Sequence, residues 1–177
     1  MGAISARRVS AMKARSFAGM RCSIAGALEH IGDRWSLLLI RDLFFGLNRF
    51  EDFRSSTGIP AATLAARLKH LVASGIVERV PYNERPPRLE YRLTPKGRDL
   101  WKVSVALREW GDRWDASGFG SPSVEMVERE TGRPLVLSLV DAETREAVPA
   151  SRAILRAGPG ADDSVRKLLE PSEGMSA

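Results

Sequence analysis

Apolar residues fall at helical spacing from Ser23 onward, where Ile24, Leu28 and Ile31 recur before Gly32 interrupts them. Asp33 then offers a side-chain cap to a second helix carrying Trp35, Leu38, Leu39, Leu43 and Phe45 ahead of Gly46. That helix is apolar on nearly every side and is expected at the centre of the fold. Phe50 and Phe53 share one face of a short helix over 50–55, and the STGIP stretch behind it supplies a turn whose proline suits a first helical position. A longer helix is predicted over 61–74, with Leu64, Leu68, Leu71 and Val72 on one side. A short helix, a glycine-bearing turn and a longer helix make a helix-turn-helix pattern.

After Gly75 the period changes. IVERV reads as a strand and LEYRL as its returning partner, while the three prolines of PYNERPPR, residues 81–88, predict an irregular, basic, stiffened hairpin tip. Thr94 and Pro95 start another helix, in which Leu100, Val103, Leu107, Trp110 and Trp114 recur at spacings of three, four, three and four. This is a heptad-like seam on a helix of roughly twenty residues. From Ser121 the segments VEMVER, PLVLSLV and SRAILRA predict a small antiparallel sheet over 121–157. Residues 158–177 are expected to be mostly disordered apart from a last turn around 165–169, and residues 1–21 to form a flexible basic arm.

The expected fold is therefore mainly α with a small β component: a winged helix-turn-helix over 22–117, closed by a long C-terminal dimerisation helix and followed by a small antiparallel β extension. Charge sharpens this picture. The 177 residues carry +5 overall, but residues 1–28 alone supply +5, residues 49–98 hold ten basic side chains against five acids, and everything from Glu109 onward sums to −5. A basic middle segment points to a polyanionic partner, and a purely solubilising role is the alternative. The longest apolar run, Trp35 to Ile40, meets Arg41 and Asp42 too soon to span a bilayer, and no leader pattern opens the chain. With one cysteine, Cys22, no internal disulfide can form, and a cytoplasmic protein without a membrane partner is expected.

At about 100° per residue, the side of helix 61–74 opposite its leucines carries Ala62, Thr63, Ala66 and His70, with Arg67 and Lys69 on the flanks. Alanines let a helix backbone approach a groove floor and touch thymine methyl groups, Thr63 can reach bases or phosphate, and Arg67 can pair with guanine or phosphate. The same alanines also serve as plain helix formers on a solvated face. Asn83, Arg85 and Arg88 occupy the wing tip, where they can meet phosphates or the minor groove or simply be solvated. Arg49 and Arg54 flank the short helix as phosphate clamps, or pair with Glu51 and Asp52. His30 and His70 are too isolated for a metal or catalytic site, and neither an enzymatic reaction nor a cofactor is expected.

Cys22-Ser-Ile-Ala, IGDRWSLLLIRDLFFGLNRFEDF, GIPAATLAARLKHLVASGIVER, PPRLEYRLTPKGRDL and LREWGDRW together resemble the HxlR-type transcriptional regulators, relatives of the MarR winged-helix proteins, over roughly residues 15–117. The resemblance implies a bacterial, cytoplasmic, homodimeric regulator of double-stranded DNA, a repressor or activator recognising an inverted repeat. It places the dimer interface on the first and last helices of the winged unit, on Ile24, Leu28, Leu100, Val103, Leu107, Trp110 and Trp114. It also implies control by a small-molecule effector or by thiol modification: Cys22 is either a redox or electrophile sensor or a small packing residue at that interface. The tryptophans pack a dimer or core, or line a ligand pocket. Two departures stand out: Ala62, Ala65 and Ala66 replace the polar residues common on the family's recognition helix, and the C-terminal extension lacks the cysteine of many longer members, so no zinc site is expected there. A winged-helix module for protein–protein interaction, without sequence-specific DNA binding, is the alternative function.

Overall fold

The computed structural model describes residues 16–84 and 87–170. Four helices come first: α1 (Ser23–Ile31), α2 (Arg34–Phe44), α3 (Phe50–Thr57) and α4 (Ala61–Ala73). An antiparallel hairpin of β1 (Val77–Glu84) and β2 (Pro87–Leu93) follows, then the single turn α5 (Pro95–Arg98) and α6 (Trp101–Arg113). The α3–turn–α4 unit with its β1–β2 wing is a winged helix-turn-helix.

α2 is central, touching α1, α3, α4, β2 and α6. Asp33 caps it by accepting from Trp35 N at 3.0 Å and Ser36 N at 3.1 Å, and Leu39 and Ile40 are fully buried among Phe53, Ile59, Leu64, Leu68, Leu71, Ile76, Val77 and Leu93. Gly46, at φ +85°, ends α2: its N–H donates to Leu43 O at 3.1 Å and the Leu47 N–H to Asp42 O at 3.0 Å. This Schellman turn leaves Phe45 outside the helix and exposed, where the apolar pattern predicted it inside. The same device ends α4, with Gly75 at φ +67°, its N–H on Val72 O at 3.0 Å and the Ile76 N–H on Leu71 O at 3.0 Å. Ile76 and Leu71 are both buried, so the turn that stops the helix also drives the chain into β1 through the core.

The wing is more regular than its prolines predicted. Pairing runs from Val77 opposite Leu93 to Glu84 opposite Pro87, with one register shift between Pro81 and Asn83. In a two-stranded ribbon each strand has an unpaired edge, so a proline's missing N–H need not break a ladder, and the bulge absorbs the misfit. Tyr91 N donates to Asn48 O at 2.8 Å and the Tyr91 ring meets Phe53 edge-on at 6.0 Å, fixing the wing base against α3.

The expected twenty-residue helix is divided. Thr94 caps α5 by accepting from Gly97 N at 3.1 Å, and the Leu100 N–H turns back to Gly97 O at 3.2 Å before α6 begins. Gly97 is pressed so closely on Ile76 that a Cβ there would lie 2.1 Å from the Ile76 carbonyl oxygen, and this contact sets the tight turn. Leu100 packs on the core and Val105 is buried, but Val103, Leu107, Trp110 and Trp114 are exposed within the chain.

In the extension β3 (Leu139–Val140) pairs with β4 (Ala147–Val148), and Val127 bridges Pro134. The third strand expected from SRAILRA is absent among the described residues: Ala150–Arg152 is a 3₁₀ turn, and no layer covers the side chains that follow. The last turn expected around 165–169 is α7 (Asp163–Leu168), which Asp162 caps by accepting from Val165 N at 3.1 Å. Arg21, two residues before α1, pairs with Asp162 at 3.4 Å and donates to Gly160 O at 3.5 Å. Most of the expected N-terminal arm, residues 1–15, lies outside the described residues, as do 171–177.

Candidate nucleic-acid interface

α4 exposes Ala61, Ala62, Ala65, Ala66, Lys69 and Ala73 while Leu64, Leu68 and Leu71 face the core. The outward strip is therefore almost free of side-chain bulk, with Lys69 as its cation. Thr63, Arg67 and His70 lie half-buried on the flank turned toward α1 and α2. His70 corrects the expectation that it faces outward: its Nε2 donates to His30 O at 3.1 Å, and His30 Nδ1 lies 3.2 Å from Ser74 Oγ. A carbonyl can only accept, so Nε2 carries a proton and the ring closes the end of α1 onto α4.

Arg67 is held by a residue that the sequence marked only as a helix cap. Its Nε lies 3.3 Å from Asp33 Oδ1 but lacks the alignment of a hydrogen bond. Arg54 pairs with Glu51 at 3.0 Å, which is the ion-pair option of the sequence reading. Arg49 takes a different partner: its guanidinium lies 4.7 Å from the Tyr82 ring centroid, while its N–H donates to Asp52 Oδ2 at 3.1 Å. An aromatic under a guanidinium orients the cation without neutralising it, so Arg49 joins the start of α3 to the wing with its charge intact.

Asn83 and Arg88 pair across the ribbon and are both exposed near its tip; Arg85 lies outside the described residues. The link of Asp33 to Arg67, the role of Tyr82 and the wing-base triad of Asn48, Glu90 and Arg92 were not found by sequence reasoning. Buried Glu90 accepts from Asn48 Nδ2 at 3.3 Å and Arg92 Nε at 2.7 Å, clamping the strand that carries Arg88. The signal for Tyr82 was an aromatic beside a proline in an otherwise polar tip; the triad, 42 residues from Asn48 to Glu90, left none.

Cys22 is exposed and forms the N-terminal cap position of α1, with Gly26 N donating to its carbonyl at 2.9 Å. An open cavity of about 540 Å³ lies between the end of α2, the wing base and α5–α6, lined by Phe44, Asn48, Tyr91, Arg98 and Trp101 among others. Among the described residues no helix is long and apolar enough to cross a membrane.

Comparison with known proteins agrees with this geometry. Residues 30–118 match the family model of the HxlR-like helix-turn-helix. An uncharacterized HTH-type transcriptional regulator of Mycobacterium tuberculosis is 39% identical over 138 residues, 78% of this chain and 87% of the relative, so the likeness reaches beyond the winged unit. The crystal structure of PA1607, a candidate transcription factor, superposes with a TM-score of 0.67 at 38% identity, covering 79% of this chain and 97% of that one. The reduced redox regulator HypR is 33% identical with a TM-score of 0.50, over 55% of this chain and all of its own. The chain thus belongs to the HxlR-like helix-turn-helix family of transcriptional regulators.

Proposed function

We propose that the protein acts in the bacterial cytoplasm as a homodimeric repressor or activator that binds an inverted-repeat operator. One α4 enters the major groove of each half-site and the wing over 81–88 lies on the flanking phosphates. The observation that carries this reading is the outward face of α4: it is left exposed by the described residues, presents small side chains with Lys69, and stands beside Arg67 and the wing. Ala62 and Ala66 permit close approach, Thr63, Arg67 and Lys69 make polar contacts, and Arg49, Asn83, Arg85 and Arg88 fix the register on the backbone. Arg54 contributes less, since Glu51 already holds it.

Residues 22–117 serve as the DNA-binding and dimerisation unit. Ile24, Leu28, Val103, Leu107, Trp110 and Trp114, all exposed in one chain, meet their copies in the dimer. Leu100, packed on the chain's own core, supports α6 from behind. Control enters by an effector in the 540 Å³ cavity or by modification of Cys22, whose exposure leaves the thiol reachable.

The test is fluorescence anisotropy with the DNA upstream of the protein's own coding sequence, against a scrambled duplex, across a salt series. Tight, sequence-dependent binding that weakens steeply with salt is expected. Equal weak binding to both duplexes, with a flat salt response, would replace this reading by a protein–protein interaction module. For the thiol, an electrophile is expected to weaken binding by the wild type and to leave Cys22→Ser unaffected; equal sensitivity of the two would remove Cys22 from the mechanism.

A further inference from the structure

The extension is poorly covered by the chain that carries it. Phe119, Val136, Ile154 and Leu155 are 83%, 78%, 87% and 87% exposed. A compact monomer of this mass exposes about 8,500 Å², whereas the chain exposes 15153 Å². Granting the residues outside the described range the full accessibility of an extended chain removes about 3,800 Å² of the difference and leaves about 3,000 Å². That remainder exceeds the roughly 800 Å² per partner of a standard interface.

The position of this surface selects its occupant. The extension adjoins its own chain along one side of α6, where Leu137 N donates to Glu109 Oε1 at 2.8 Å and Arg108 donates to Val124 O at 3.4 Å. The opposite side of α6, with Leu107, Trp110 and Trp114, stays open. Beyond Leu155 the chain reaches Gly160 and Asp162, which hold Arg21 at the threshold of α1, and Ile24 one turn into that helix is 72% exposed. Five residues beyond Leu155 the chain thus meets the threshold of α1, whose exposed Ile24 belongs to the uncovered surface of α1 and α6. DNA is a poor occupant, because the chain from Glu109 onward carries a net −5.

We infer that residues 119–157 form an arm covered by a second copy of this chain, with Ile154 and Leu155 as its apolar anchors. The inference rests on the homodimer proposed above and adds to it an interface outside the winged unit. Because the anchors make almost no contact in their own chain, their burial depends on association.

The experiment uses the full chain carrying Cys22→Ser and Ile154→Cys, with maleimide labelling rates measured at protein concentrations on both sides of the dimer midpoint found by sedimentation equilibrium. The rate at position 154 is expected to fall at least tenfold on dimerisation, while Ser55→Cys, exposed on α3 and outside the arm, labels at a constant rate. In parallel, I154D combined with L155D should weaken dimerisation at least tenfold with an unchanged far-ultraviolet spectrum. A wild type that stays monomeric throughout would overturn the homodimer and the arm together. A wild type that dimerises while position 154 labels at one rate would overturn the arm alone.

Discussion

Asp33 joins two levels of the molecule through one carboxylate. It accepts two backbone N–H groups at the start of α2 and lies 3.3 Å from Arg67 on the recognition helix. Replacing it with alanine removes a helix cap at the central element, so Asp33→Ala should lower stability by about 1–2 kcal/mol in urea denaturation; a loss under about 0.5 kcal/mol would show that the cap is dispensable. A contrasting case is Gly97, whose added Cβ would meet the Ile76 carbonyl oxygen at 2.1 Å. Gly97→Ala should destabilise by about 1–3 kcal/mol through overpacking, read as a lower thermal midpoint without loss of helical signal at low temperature. The cap role of Asp33 could be read from a polar residue ahead of an apolar run. Its link to Arg67 could not, because that contact depends on how two helices 34 positions apart in sequence come together.

Helices were the most legible elements, since apolar spacing and glycine stops describe α1 to α4 directly. Strands were less so: prolines hid the continuity of β1 and β2, and short alternating segments after Ser121 promised more sheet than the two-residue β3 and β4 provide. Strand pairing needs a partner at the right distance and a layer to cover one face, and neither is written in a single segment. The wing gives a measurement at this scale. Arg88 is exposed on β2 near the tip, so Arg88→Ala should weaken binding about equally on operator and scrambled DNA and reduce the salt slope by about one. A loss confined to the operator would place Arg88 at a base edge instead. In the extension, turns depend on carboxylates. Glu128 is held below its ordinary range chiefly by the Glu130 N–H, and Asp141 chiefly by the Thr144 N–H. Lowered folded pKa values mean that these turns are fully supported above the ordinary carboxylate range and weaken as pH falls through the lowered values. The amide proton chemical shifts of Glu130 and Thr144 should therefore titrate only in acid below that range, and shifts that titrate already near neutrality would contradict it.

At the scale of the whole molecule, positive charge and the winged unit share one part of the chain while the acidic remainder forms the extension. This partition was legible in composition; the near-total exposure of Phe119, Val136, Ile154 and Leu155 was not, because a sequence pattern reports amphipathicity without naming the chain that covers it. The bond between Arg21 and Asp162 turns most of the chain into a ring, closed by groups whose side chains are 66% and 40% exposed. Closing so long a loop costs far more entropy than an exposed ion pair supplies. The clasp is therefore a product of the folded structure between its ends. Raising ionic strength should open it while the fold remains intact, detected as early loss of amide protection in α7. The salt that releases a regulator from DNA would then also unfasten its C-terminal helix.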